Sequence, residues 1–167
     1  MKPILSSVFR LLLMTVCSSL PAIAQSDPVP IISSPAIEVS AEPPLVDSFT
    51  FEELLKIGGG GCGMVLWKGS GTHEDGLIFF NGLLESTALM KVDGKFVNFR
   101  RIEAEGKDFY GQKTGQVFIS PDETIRVAIE VKLGEPGLES VAIESGTLRI
   151  SRNGQTLDIP VAGDAGC

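Results

Sequence analysis

Residues 124–133 alternate without a break between large apolar side chains and side chains that are polar or, at Ala128, small. Successive side chains of a strand point to opposite faces, so this alternation puts every apolar residue on one side of an extended chain. A helix would spread the same side chains around its circumference. The pattern therefore predicts a β-strand with one buried and one solvated face. Its apolar members are Ile125, Val127, Ile129, Val131 and Leu133.

Shorter apolar runs, bounded by turn residues, recur through the rest of the chain beyond residue 62. They predict further strands at residues 64–67, 77–80, 89–92, 96–102, 117–119, 141–143, 148–151 and 157–161. The turn signals come about every ten residues, and no long helical pattern separates the strands. The predicted fold class is therefore all-β: an antiparallel β-sandwich or a small barrel of about eight or nine short strands, with one short N-terminal helix.

Two dipeptides predict tight hairpins. Asp-Gly at residues 93–94 and Asn-Gly at residues 153–154 supply the two positive-φ positions of a type I′ turn. A two-residue turn at 153–154 places Ile150 opposite Leu157, on one face of the sheet. The apolar positions before and after residues 145–146 have opposite parity, so a bulge or a tight turn must switch the buried face there.

The predicted helix covers residues 48–57. Thr50 and Glu53 have the spacing of a capping box, and Gly58 is a suitable terminator. A helix of about two turns is unstable on its own, so its apolar residues are expected to dock on the β domain. These residues are Phe49, Phe51, Leu54 and Leu55.

Residues 1–24 are interpreted as a secretory signal peptide. Lys2 and Arg10 flank an apolar stretch that precedes the small-residue motif Ala-Ile-Ala at residues 22–24. The stretch is too short, and too rich in Ser and Thr, for a transmembrane helix. Residues 25–47 contain five prolines and no glycine or aromatic residue, which predicts a Pro-rich disordered linker. Residues 48–167 are then the folded, disulfide-closed β domain.

Export would leave two of the three cysteines, Cys62 and Cys167, in an oxidising compartment. A disulfide between them would tie the last residue to the start of the first barrel or sandwich strand. A reactive thiol is a weaker interpretation, because the chain has no CxxC motif and glycines flank both cysteines. An intermolecular bridge is a further alternative. Cys17 leaves with the signal peptide, and Val16 before it disfavours lipidation.

Charge and composition exclude several function classes. The net charge is −7, which argues against nucleic-acid binding, and loss of the basic signal peptide makes the chain more acidic still. The single histidine, His73, cannot form a two-histidine zinc site within one chain. The His-Glu-Asp run at residues 73–75 is better explained as a solvated turn than as a weak metal site. Without a nucleophile elbow or a phosphate-binding loop, we expect a non-enzymatic protein with no cofactor and no metal.

Two aromatic residues are candidates for binding a ligand or a partner. Trp67 and Tyr110 are large amphipathic rings of the kind enriched in interfaces. Tyr110 follows Phe109 in the polar stretch of residues 103–115, so it is a candidate member of a recognition loop. Packing of the rings in or beside the core is the simpler explanation.

Arg100 is the third candidate binding residue. Arg100 and Arg101 form the only basic doublet, and one of the two continues the buried face of the predicted strand or lies just past its edge. Such an arginine would either anchor an anionic group at a barrel mouth or pair with an inward carboxylate such as Glu103 or Glu130. The structural pair is the simpler explanation.

Three functional hypotheses follow. The first is an exported, non-enzymatic binding or structural module of the periplasm or exterior, held on the Pro-rich tether, with an envelope or extracellular protein or a small molecule as partner. The second is a small-molecule carrier with an apolar pocket inside a β-barrel, which an empty lumen would support and a filled core would oppose. The third is a hydrolase, disfavoured by the missing nucleophile–base constellation.

Overall fold

The computed structural model describes residues 42–69, 71–84 and 87–167. The predicted signal peptide, and the predicted linker as far as residue 41, lie outside these residues. The described chain forms nine strands, one α-helix and one 3₁₀ turn. In chain order the elements are β1 (Val46–Asp47), α1 (Phe51–Lys56), β2 (Gly63–Lys68), the 3₁₀ turn (His73–Asp75), β3 (Phe79–Gly82), β4 (Ala88–Val92), β5 (Lys95–Phe109), β6 (Gln112–Ile119), β7 (Ile125–Pro136), β8 (Ser140–Arg152) and β9 (Gln155–Gly166).

The strands β2 to β9 form a closed, eight-stranded antiparallel barrel. Each of these strands pairs with the next one along the chain, and β9 returns to pair with β2. The closing pair runs from Gly63 opposite Gly166 to Lys68 opposite Val161. The short strand β1 is an extra strand that pairs with β4. The prediction of a small barrel is therefore confirmed, and the alternative of a sandwich is not.

The predicted hairpins and the predicted face switch are present. The residues at 93–94 and 153–154 all have positive φ, between 49° and 79°. In the second hairpin Ile150 lies opposite Leu157, which is the predicted register. The register of β8 against β9 shifts between Ile143 and Gly146, where the parity of the apolar residues changes. Local turn chemistry and the apolar pattern therefore specify this part of the barrel.

The polar stretch of residues 103–115 is not a loop. It belongs to a hairpin in which β5 and β6 are joined by Tyr110 and Gly111, with φ of 41° and 73°. The register of β5 against β6 is interrupted twice by bulges. Residues 103–108 are exposed on both faces, so no apolar alternation marks them as a strand. Pairing with β6 holds them extended instead.

The barrel interior is filled with apolar side chains from all eight strands. Phe79, Phe99 and Phe118 are at most 1% exposed, and the rings of Phe79 and Phe118 meet edge to face with centroids 5.3 Å apart. The alternation in β7 is confirmed, because Val127 and Ile129 both point into this core. The largest fully buried aliphatic residues of the interior are Met64, Leu66, Ile78, Met90, Ile129, Ile143 and Leu148.

The helix α1 begins at the predicted capping box. The Thr50 hydroxyl accepts a hydrogen bond from the backbone N–H of Glu53 at 3.1 Å, and the Glu53 carboxylate accepts one from the backbone N–H of Thr50 at 2.8 Å. Leu54 is fully buried, in a second apolar cluster outside the barrel. That cluster contains Phe49, Leu54, Leu77, Phe80 and Leu89. No helix in the described part of the chain has the length and apolar character needed to cross a bilayer.

Only part of the predicted docking of α1 is present. Phe49 and Leu54 are buried, whereas Phe51 and Leu55 are 55% and 53% exposed. Residues four apart lie on the same side of a helix, so Phe51 and Leu55 share its more exposed side. A helix this short buries one stripe of side chains, and Leu54 lies in that stripe.

The described sheet begins before residue 48, the predicted start of the folded domain. Val46 and Asp47 pair with Val92 and Lys91 of β4. Val46 is 5% exposed and belongs to the interior cluster. Burial of this valine and the hydrogen bonds of β1 offset the conformational entropy lost when these residues become ordered.

A disulfide joins Cys62 and Cys167, as predicted. Cys62 directly precedes β2 and Cys167 directly follows β9, next to the register pair of Gly63 and Gly166. The bond therefore lies at the end of the seam that closes the barrel. The backbone N–H of Cys167 also donates to the carbonyl of Glu139, at 3.1 Å.

Candidate binding groove on the outer face of the barrel

A groove lies on the outer face of the seam between β2 and β9, which we call the β2–β9 groove. Val65 and Trp67 point outward from β2, because Met64 and Leu66 point into the barrel. Asp164 of β9 lies directly opposite Val65. One end of the groove has a volume of about 350 Å³ and is lined by Phe51, Val65, Trp67, His73, Leu77 and Asp164.

The groove continues along the seam toward the disulfide. An adjoining depression shares three lining residues with the first, including Asp164, and reaches Glu139 and Cys167. Along β2 this path runs from Trp67 to Gly63. Four strand residues cover about 13 Å. The groove is therefore elongated, with Trp67 and His73 at one end and Glu139, a second acidic residue, near the other.

The 3₁₀ turn places the single histidine beside the single tryptophan. The carboxylate of Asp75 accepts hydrogen bonds from the backbone N–H of Thr72 at 2.7 Å and from its hydroxyl at 3.3 Å. The backbone N–H of Gly76 donates to the carbonyl of His73 at 3.2 Å. The imidazole of His73 then meets the Trp67 ring edge to face, with centroids 6.2 Å apart. The predicted solvated turn is thus also a wall of the groove.

Phe51 reaches the groove because α1 is anchored on its opposite side. The buried side chain of Leu54 holds the helix on the barrel, and the capping box at Thr50 fixes where the helix begins. Phe51 is the first residue of the helix and is more than half exposed. Phe51 lines both parts of the groove. An exposed aromatic ring in a groove of this kind is a typical contact residue.

The carboxylate of Asp164 has no ion pair with any residue that the structure describes. Burial by the surrounding protein raises its pKa, and the charge of His73 acts in the opposite direction. Apolar surroundings disfavour a charged carboxylate, whereas a nearby cation favours it. The groove therefore holds an acidic group that a positively charged ligand would stabilise.

The three candidate residues named from the sequence lie in different places. Trp67 is half-buried in the β2–β9 groove. Arg100 is exposed beside the β6–β7 turn, in a shallow depression that it shares with Glu123. Tyr110 is half-buried in the β5–β6 turn and packs against the interior cluster. Neither Arg100 nor Tyr110 lines the groove around Trp67.

Arg101 is the member of the basic doublet that has buried partners. Its guanidinium donates to the side-chain oxygen of Gln116 at 3.0 Å and to the carbonyl of Gly111 at 3.3 Å. Among the described residues, Arg101 forms no ion pair with Glu103 or Glu130, the carboxylates expected as partners. Glu103 pairs with Arg126 instead, at 2.7 Å. Neutral amides therefore satisfy Arg101, and no buried ion pair is needed.

Gln116 belongs to a buried amide network at one end of the barrel. The side chain of Gln112 accepts from Gln116 at 3.3 Å and from Asn81 at 2.6 Å, and it donates to the carbonyl of Gly82 at 2.9 Å. Gln112 is fully buried, and Asn81 and Gln116 are nearly so. These bonds connect β3 to β6 across the barrel end and fix their relative position.

Phe51, His73 and Asp164 are groove residues that sequence reasoning missed as binding candidates. Phe51 resembled the other apolar residues of the helix, and His73 resembled a turn residue. Asp164 carried no distinguishing signal, because β9 has a second exposed outward aspartate, Asp158.

Within the described ranges, no three His, Cys, Asp or Glu side chains converge as a metal site. The chain shows no match to any protein-family model, curated protein or solved structure to which it was compared.

Proposed function

We propose that this protein is an exported, non-enzymatic binding module that contacts its partner through the β2–β9 groove. The single observation that carries the proposal is an exposed aromatic residue, Phe51, beside a half-buried Trp67 and Asp164, whose carboxylate has no ion pair among the described residues. Large aromatic residues next to a few polar groups are the usual composition of contact sites. The closed barrel and the disulfide support a rigid platform for them.

The packing of the interior favours the module over a small-molecule carrier. Carriers of this architecture hold the ligand in the lumen, which must then remain open. Here the inward side chains of all eight strands contact one another in one cluster, with exposures of 8% or less. The elongated groove lies on the outer surface instead.

Site-directed photocrosslinking tests the proposed contact surface. A photoreactive phenylalanine analogue at Phe51 is expected to give a discrete adduct with one partner in cells that export the protein. The matched control carries the same analogue at Ala104, which is exposed on β5 and lines neither part of the groove. Equal adducts from both positions, or none from Phe51, would remove the groove as the contact surface.

Export is tested separately by determining where the chain begins in protein recovered from the cell envelope or the medium. Cleavage after Ala24 predicts a chain that begins at Gln25. Intact-mass measurement of that chain gives the answer directly. An uncut chain that stays in the reducing cytosol would contradict the proposed compartment.

A further inference from the structure

We propose that the β2–β9 groove binds an extended basic segment of a partner protein, with a Lys or Arg side chain against Trp67 and Asp164. This inference rests on the proposed function, because it names the chemistry of the partner at the same groove. It makes the aromatic end of the groove a site for a cation.

The pairing of an aromatic ring with a free carboxylate is the chemical basis of this assignment. A Lys or Arg head group is attracted to the face of an aromatic ring within about 6 Å of its centroid, and tryptophan is the best such ring. The same side chain has an aliphatic stem that packs on apolar surface such as Val65 and Phe51. Within the chain itself, Lys91 uses this interaction, with its ammonium 5.7 Å from the centroid of Phe96.

Asp164 supplies the charge that selects a cation over a neutral side chain. It differs from the paired outward carboxylates, such as Asp158, which accepts two hydrogen bonds of 2.7 Å from Arg149. Asp164 has no such partner among the described residues. A bound ammonium or guanidinium group would supply it. An acidic ligand would instead meet the like charge of Asp164.

The length of the groove favours an extended peptide over a free amine. The path from Trp67 along β2 to Gly63 is about 13 Å, the length of four strand residues. Glu139 lies near the far end and, among the residues described, has no ion pair. A peptide with two basic residues two positions apart therefore finds Asp164 near the middle of the path and Glu139 near its far end. The net charge of −7 adds attraction for a basic partner.

The experiment is a fluorescence titration, because Trp67 is the only tryptophan of the chain. The probe is the peptide acetyl-Val-Lys-Val-Lys-Val-amide, added to the oxidised, full domain. Its matched controls are the same peptide with norleucine, and with glutamate, in place of lysine. We expect a saturable change with the lysine peptide and affinity lower by about tenfold for norleucine. A titration with butylammonium tests whether a free amine is sufficient. We expect it to bind at least about tenfold more weakly than the lysine peptide.

Variants assign the effect to individual groups. Asp164→Asn is expected to weaken binding of the lysine peptide about fivefold. The control, Glu130→Gln, removes the same charge from an exposed position on β7 and is expected to leave affinity unchanged. Phe51→Ala is also expected to weaken binding. Circular dichroism of each variant confirms that the fold is retained.

Different results would overturn different parts of the assignment. Equal affinity for the lysine and norleucine peptides, or equal losses in Asp164→Asn and Glu130→Gln, would overturn the cation site. Butylammonium binding as tightly as the peptide would replace the peptide with a small amine. The crosslink from Phe51 tests the binding module independently, so a specific adduct together with no preference for lysine would leave the module standing without its basic partner.

Discussion

Asp164 and Asp158 lie on the same outward face of β9, but their surroundings act on them in opposite directions. Burial raises the pKa of Asp164, and His73 partly opposes this change. The hydrogen bonds from Arg149 lower the pKa of Asp158. A raised carboxyl pKa means that the folded state binds its proton more tightly than the unfolded state does, so stability falls as pH rises through the raised value. A lowered pKa has the reverse effect.

Asp164→Asn is therefore expected to stabilise the protein at neutral pH. The melting temperature should rise on the order of 1 °C, and the gain should vanish as the pH falls below the ordinary aspartate range. Calorimetry of variant and wild type across this range measures the difference. Asp158→Asn is the control, and its stability should be equal to or lower than that of the wild type at neutral pH. A destabilised Asp164→Asn protein would contradict the assigned desolvation.

Tyr110 gives a second prediction at the scale of a single residue. Its ring packs against the interior cluster although its backbone has φ of 41°. Tyr110→Ala should lower the free energy of unfolding by about 1–2 kcal/mol, because the packed ring is lost. Tyr110→Asn also loses the ring but tolerates positive φ better, so it should be the more stable of the two. Urea denaturation of both variants measures the order.

The helix α1 is the element on which the groove depends most. Its six residues are too few for independent stability, so the capping box and the burial of Leu54 hold it in place. These same contacts leave Phe51 exposed at the first helical position. A loss of the helix would therefore remove one side of the groove without opening the barrel.

Thr50→Ala is expected to lower the free energy of unfolding by about 1 kcal/mol, because the backbone N–H of Glu53 loses its acceptor. Amide hydrogen exchange should become faster across α1 and stay unchanged in β7 and β8. Thr50→Ser keeps the hydroxyl and is the control. Equal protection of α1 in all three proteins would show that the cap is dispensable.

At the scale of the whole molecule, closure of the barrel depends on the seam between β2 and β9. These are the first and last barrel strands, so the chain must fold along its full length before they meet. The disulfide links residues that are 105 positions apart, at the end of that seam. A covalent link between such distant positions restricts the unfolded state more than a short one does.

Cys62→Ser together with Cys167→Ser is expected to destabilise the protein by about 4 kcal/mol in the chain-entropy account. Urea denaturation of the oxidised wild type and the double variant measures this loss. The single variant Cys62→Ser should be destabilised equally, since either change removes the same bond. A free thiol in the oxidised wild type, or a covalent dimer, would contradict the intramolecular link.

Much of the fold followed from local sequence. The alternation in β7, the turns at 93–94 and 153–154, the capping box at Thr50 and the face switch near Gly146 each depend on residues close together in the chain. Such features are readable because side-chain direction and turn geometry act over a few residues. The β5–β6 hairpin was missed because its residues 103–108 are exposed on both faces and have no apolar period.

Local patterns predicted most of the barrel strands, the start of the helix and a disulfide between Cys62 and Cys167, with an intermolecular bridge left as an alternative. Tertiary structure decided that the sheet closes into a barrel, because closure depends on whether β2 meets β9. It also decided the groove, since Phe51, Trp67, His73 and Asp164 belong to four separate elements of the chain. Only packing of α1 and the 3₁₀ turn on the closed seam brings these four side chains together, and no local pattern encodes contacts over such separations.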